Sequence, residues 1–222
     1  MQAEFWLERW NLNQLGFHQT EVNPFLQTHW SALGLDRSAT VFVPLCGKSL
    51  DMTWLSEQGH PVIGIELSSV ACHDFFAEAG ANPTRSIGGR FETWSTADIT
   101  IHCGDFFELA AEDLIGVAGV FDRGSLVALP PEMRRRYARQ MAELLPSGAQ
   151  VLLLTVDYDQ SEMNGPPHSL PAEEIEALFG ADFEIEAIER IGPSDPPPRF
   201  RERGLRSISE RVWRLERRTR PS

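Results

Sequence analysis

Residues 39–68 read "ATVFVPLCGKSLDMTWLSEQGHPVIGIELS", and the alternation inside this stretch decides the fold. "ATVFVPL" is a short, branched-rich apolar run, the pattern of a strand buried on both faces. Leu50–Gln58 reads as a helix stopped at Gly59, and "PVIGIEL" is a second buried strand. Outward from this core the same alternation continues. Ser68 is placed to cap a helix through about Ala79. Residues 91–103 hold two strand-like pieces around Ser95–Asp98, a hairpin or a strand with a local excursion. "GVAGVFDRGSLVAL" supplies a strand ending near Phe121. Pro130-Pro131 opens a helix to Leu145, and "QVLLLTVDYD" is the clearest strand in the chain. A helix over Pro171–Phe179, alternating "DFEIEAIERI" and the strand "RVWRLE" follow. On the N-terminal side, Phe5, Trp6 and Trp10 make Ala3–Asn13 an amphipathic helix. Asn23-Pro24 reads as an N-cap with proline at the first helical position, opening a helix through about Trp30. Strands alternating with helices predict an α/β fold, a mostly parallel Rossmann-like sheet with helices on both faces.

Composition narrows the classes. At 222 residues the chain suits one domain, 1–222, with 1–30 as an N-terminal segment and 199–222 as a basic C-terminal one. No apolar run reaches the roughly 18 residues of a membrane span, and the N-terminus lacks a signal-peptide stretch. Three scattered cysteines, Cys46, Cys72 and Cys103, suit free thiols in a reducing cytosol. The six histidines show no ligand spacing, so no metal is expected. No apolar heptad points to an oligomer, and a monomer is expected. The net charge of −12 disfavours nucleic acid. Nine arginines against three acids in 199–222 form a local basic segment, read as solvated or salt-bridged to the acidic body.

In sheets of this kind ligands sit beyond the carboxyl ends of the strands. The stretches to inspect are Pro44–Ser49, Glu66–Ser68, Gly104–Phe106, Asp122–Ser125 and Asp157–Asp159. The first ends in Gly47-Lys48-Ser49, like a phosphate-binding loop, and Lys48 is the only lysine in the chain. A phosphate loop needs a second glycine five positions earlier, where Phe42 stands, and the dinucleotide fingerprint fails for lack of glycines. Glu66, at the end of the second strand, is where nucleotide-type folds receive two ribose hydroxyls. A ligand with a ribose, no phosphate and an amino-acid end that can use a short glycine turn is S-adenosylmethionine. Taken alone, Glu66 also fits an exposed strand-end acid, and Lys48 a salt-bridged loop residue.

"VPLCGKSLDMTWL", the pattern around Gly59–Ser68, "DRGSLVALPPEMR", "LLLTVDYD", "GPP", and the N-terminal "FW-ERW" and "GFHQ" occur in the order and spacing of the thiopurine S-methyltransferase family. The chain resembles that family from about Glu4 to Phe179, most closely its bacterial members. The resemblance implies a class I methyltransferase using S-adenosylmethionine, with S-adenosylhomocysteine as product. It implies a small thiol or metalloid acceptor: thiopurines, related heterocyclic thiols, and selenium or tellurium compounds. Carried over by residue, it puts cofactor contacts at Trp10 (a cover), Leu45 and Gly47 (the short loop), Glu66 (ribose), Asp105 and Phe106 (adenine), and Arg123. From the residues alone, Trp10 and Phe106 equally fit plain core, and Arg123 an anchor for Asp122.

On the acceptor side Arg123 is expected to orient an anionic acceptor, and Tyr158 or Asp159 to border its pocket, with Asp157 behind them. His18 is the best-placed histidine for a base, although a thiolate needs none. His168 replaces the aromatic that follows "GPP" in the family, and Gly192–Gly204 departs from the family pattern; Arg199, Arg201 or Arg203 there could receive an oxyanion. Two other readings stay open: a non-catalytic nucleoside- or metalloid-binding module, and a nucleotide-phosphate enzyme using Lys48 and Ser49.

Overall fold

The computed structural model describes residues 3–16 and 18–219. Phe17 of "GFHQ" and Arg220 of the basic segment lie outside the described residues. The chain divides into two compact units, Met1–Phe121 and Asp122–Ser222.

The first unit begins with helices α1 (Ala3–Asn11) and α2 (Pro24–His29). Asn23 caps α2 through its side-chain oxygen, with Pro24 at the first helical position, as expected. Strand β1 (Thr40–Val43), helix α3 (Leu50–Glu57), strand β2 (Val62–Glu66) and helix α4 (Ser69–Glu78) follow. Next come strands β3 (Thr84–Gly88), β4 (Phe91–Ser95), β5 (Ile99–Cys103) and β6 (Val117–Arg123). These strands lie in the order β3-β4-β5-β2-β1-β6. The pairs β5–β2, β2–β1 and β1–β6 are parallel. The β4–β5 pair is the expected hairpin, and β3 extends it antiparallel. Strand β3 is exposed along its whole length, so it carried no apolar alternation by which to be seen in the sequence. Val41, Phe42, Ile65, Ile101 and Val120 are buried, which is what a parallel strand covered on both faces requires. From β1 the chain goes first to β2 on one side and later to β6 on the other. The carboxyl end of β1 is therefore a topological switch point, where α/β sheets open a crevice.

The second unit holds helix α5 (Pro131–Leu144), strand β7 (Gln150–Asp157), helix α6 (Ala172–Phe179), strand β8 (Phe183–Ser194), helix α7 (Pro198–Arg201) and strand β9 (Ile208–Arg217). Strand β9 pairs antiparallel with both β7 and β8. The alternation "DFEIEAIERI" is thus β8, its apolar face kept through Ala187, where the register shifts. The C-terminal arginines are built into β9 and the loop before it. Arg217 donates to the carbonyls of Ala142 and Asp182. Arg206 pairs with Glu162, Arg211 with Asp157, and Arg214 with Glu186 and Glu216. Most of the local positive charge is spent on neighbouring acids and carbonyls.

Arg134 of α5 is the largest fully buried side chain. Its Nε donates to the Leu129 carbonyl at 3.0 Å, and its Nη1 meets both oxygens of Glu174 on α6 at 2.7 and 2.8 Å. Removing one partner of a buried ion pair leaves the other uncompensated. Arg134→Ala is expected to lower the unfolding free energy in urea by about 3 kcal/mol. Arg206→Ala, which breaks an exposed pair, is expected to change it by less than about 1 kcal/mol.

Candidate functional site

The loop at the switch point is short and tightly made. Leu45 (φ +44°) and Gly47 (φ +54°) are both left-handed, and this pair of turns brings the chain from β1 to α3 within a few residues. The Cys46 N–H donates to the Ile65 carbonyl at 3.0 Å, tying the loop to β2. Its far end is fixed by Ser49, which caps α3 and donates to Asp51 Oδ2 at 2.8 Å. The other oxygen of the buried Asp51 accepts from the Asn23 N–H at 2.8 Å.

Glu66 closes β2 beside this loop and is buried. Its Oε2 accepts from the Gly47 N–H at 2.9 Å, and its Oε1 from the Ser68 N–H at 2.8 Å. Burial pushes the carboxyl above its ordinary range, against the pull of the Ser68 and Gly47 amides. A carboxylate has about four lone-pair sites, so the Gly47 and Ser68 bonds do not exhaust its capacity to accept. The indole of Trp10 lies on the loop: a Cβ on Gly47 would meet its Cζ2 at 3.2 Å. Only glycine leaves that approach and its positive φ undisturbed. Lys48 is turned away to Glu78 on α4, Nζ to Oε1 2.5 Å, which is the salt-bridged alternative.

The segment after β5 is hung from the same carboxylate residue, since the Gly104 N–H donates to the Glu66 carbonyl at 2.9 Å. Asp105 is exposed and uses Oδ1 to cap the turn Phe106–Glu108 through the Phe107 N–H at 2.9 Å. The Phe106 ring is buried, edge-on to the half-buried Phe107. The first unit thus joins Trp10, the Leu45–Gly47 loop and Glu66 by direct contacts, with Asp105 and Phe106 on the segment tied to Glu66 through Gly104.

The second unit gathers a different set. Asp122 is buried and accepts from the Tyr137 hydroxyl at 2.7 Å and from the Leu126 N–H at 3.3 Å. Burial raises its pKa against those bonds. It anchors the turn that follows Arg123 at the end of β6. Arg199 on α7 is exposed, and its pKa is lowered first by partial desolvation and then by the charge of Arg123. The two guanidiniums are close enough to repel. Tyr158 donates its hydroxyl to the Pro167 carbonyl at 2.6 Å, and its ring packs with Met163, Phe200, Leu205 and Ile208. Asp159 holds a turn instead, taking the Ser161 N–H and hydroxyl on Oδ1 at 2.9 and 2.7 Å. His168 sits half-buried with Nε2 enclosed and without a hydrogen-bond partner. Its imidazole pKa is lowered by burial and then by Arg134. His18, in the first unit, has its N–H on the Leu15 carbonyl. The Asp122–Tyr137 bond and the contacts of Arg203 with Gly165 and Pro166 had no local sequence signal, because their partners are distant in the chain.

Known proteins resemble this chain in sequence and in fold. The family model for thiopurine S-methyltransferase matches residues 1–218. A thiopurine S-methyltransferase of Pseudomonas entomophila is 48% identical over 98% of this chain and 100% of its own length. Its counterpart from Xanthomonas axonopodis pv. citri is 47% identical, with the same two coverages. Among solved structures, an S-adenosylmethionine-dependent methyltransferase from Anabaena variabilis superposes with a TM-score of 0.65 at 18% identity, covering 97% of this chain and 95% of that one. A Burkholderia thailandensis 1,6-didemethyltoxoflavin N1-methyltransferase, crystallised with S-adenosylhomocysteine, gives 0.64 at 16%, covering 98% and 87%. At such identities the likeness is one of fold.

His168 supplies a pH test. A histidine held below its ordinary value of 6.5 in the folded chain favours folding while both states are neutral, and that contribution is lost as the pH falls below 6.5. Replacing it with the uncharged aromatic, His168→Phe, is expected to flatten the loss of urea stability between about pH 7 and 5. An unchanged slope would assign that loss to other groups.

Proposed function

The chain belongs to the thiopurine S-methyltransferase family, and on that premise we propose that it transfers a methyl group from S-adenosylmethionine to the sulfur of thiopurines or related heterocyclic thiols. Selenium and tellurium compounds, whose anions are also soft nucleophiles, are proposed as further acceptors. One observation carries the reading: a buried carboxylate, Glu66, with one oxygen on the glycine loop, the other on the start of α4, and acceptor capacity beyond those two bonds. The residues fit the donor. Glu66 can accept from both ribose hydroxyls, the Leu45–Gly47 turn offers backbone to the methionine end beneath Trp10, and the exposed Asp105 can accept from the adenine amino group. Nothing in this cradle is arranged for phosphate, and Lys48 is committed to Glu78.

When bound, S-adenosylmethionine supplies a methyl on a sulfonium, which leaves as a neutral thioether and needs no proton. The protein's task is then to hold an anionic sulfur in line, and alignment of two reactants is worth about 7–11 kcal/mol. Arg123 and Arg199 serve this. The charge of Arg123 disfavours that of Arg199, and an anion received beside them relieves that repulsion. A thiolate stabilised in this way needs no general base. That agrees with Tyr158 and Asp159, whose polar atoms are engaged in shaping the rim; both border the acceptor rather than move its proton. A cytosolic monomer would serve this chemistry, and among the described residues no helix is long and apolar enough to cross a membrane.

The test is transfer of labelled methyl from S-adenosylmethionine to 6-mercaptopurine. Glu66→Ala removes the acceptor of two hydrogen bonds to a charged group, each worth about 1.5–3 kcal/mol, and is expected to weaken donor binding at least about 100-fold. Donor binding by the wild type without methylation of any thiol, selenite or tellurite would leave a binding module in place of an enzyme.

A further inference from the structure

The loop that follows β7 runs from Tyr158 back to Leu170, whose N–H rejoins the strand at the Val156 carbonyl, 2.8 Å. Just before that, the His168 N–H donates to the Val127 carbonyl at 2.7 Å, on the segment that continues from Arg123. The apex is Gly165-Pro166-Pro167. Prolines have no N–H, so this stretch can be held almost only through its carbonyls. All three carbonyls accept from side chains outside the apex. Arg203 Nη2 donates to Gly165 at 2.8 Å and Nη1 to Pro166 at 2.9 Å, while the Tyr158 hydroxyl donates to Pro167. The planar fork of a guanidinium suits two successive carbonyls, and a single ammonium does not. Gly165 (φ +64°) is also backed by the His168 ring, whose Nδ1 would lie 2.5 Å from any added Cβ. The apex therefore has one shape available.

The other end of Arg203 matters as much. Its N–H closes the α7 turn on the Phe200 carbonyl at 3.1 Å, and Phe200 packs against Tyr158 and Met163 of the loop. Arg199 stands on that same turn, facing the charge of Arg123. We propose that Arg203 is a positioning residue for the methyl acceptor: its double bond to the Gly165 and Pro166 carbonyls locks the 158–168 loop to the turn that presents Arg199. In this role Arg203 works through the protein's own carbonyls, which take one donor from each of its two terminal nitrogens. The proposal rests on the acceptor side assigned above.

Arg203 is exposed, as is Arg206, and neither substitution is expected to unfold the chain. Arg206→Ala is the control, because it removes a nearby ion pair with Glu162 but no bond to the apex. The measurement is the KM for 6-mercaptopurine, with kcat, the calorimetric Kd for S-adenosylmethionine and the Tm. Arg203→Ala is expected to raise the acceptor KM roughly tenfold, with kcat within about twofold and the donor Kd unchanged, the pattern of lost acceptor binding. Arg203→Lys, reaching one carbonyl at a time, should fall between, and Arg206→Ala should match the wild type. An unchanged KM in Arg203→Ala, or equal changes in Arg203→Ala and Arg206→Ala, would overturn the proposal while leaving the methyl-transfer reading intact. A wild type that methylates nothing would overturn both.

Discussion

A single carboxylate organises the first unit. Glu66 is taken out of water at the end of a buried strand, a cost met only because two backbone amides are aimed at it. Those amides belong to the loop after β1 and to the first residues before α4, and the Glu66 carbonyl in turn receives the segment after β5. Three loops at neighbouring strand ends are thus registered on one residue. The left-handed turns at Leu45 and Gly47, the cap at Ser49 and the closeness of Trp10 all presuppose that anchor. The two bonds at its oxygens do not exhaust the carboxylate's capacity to accept hydrogen bonds.

Much of this was legible in the sequence because the signals were local. Buried parallel strands announce themselves as apolar runs, and Asn23-Pro24 and Ser68 as helix starts; both caps stand where expected. Glu66 could be picked out because strand-end position is itself a functional coordinate in this fold. Strand β3 was not legible, since an edge strand exposed on both faces has no hydrophobic period to display. Neither was the use made of the C-terminal arginines. Composition shows a basic segment, but whether a guanidinium meets solvent, an acid or a carbonyl depends on partners 35 to 75 positions away. Tyr158 and Asp159 could be placed after a strand end by position, but their hydrogen bonds within the loop were not legible.

The two units differ in how they hold polar groups. In the first, the crevice is built from backbone amides and one acid, with few charges to spare. The second relies on arginine: Arg134 deep between two helices, Arg217 against carbonyls at the edge, and Arg203 across the proline turn. Arginine suits these places because it stays charged when dehydrated and offers several donors in one plane. Most of these guanidiniums are engaged with the protein's own acids and carbonyls.

The near-absence of lysine has a practical side. The one side-chain amine in the chain, Lys48, is held against Glu78 with only 10% of its side chain exposed, and it sits within the loop that turns beneath Trp10. An amine-selective acylating reagent can modify it only when that loop loosens. The rate of acylation at this position would therefore serve as a built-in clock for the opening of the donor crevice, with no probe engineered into the protein.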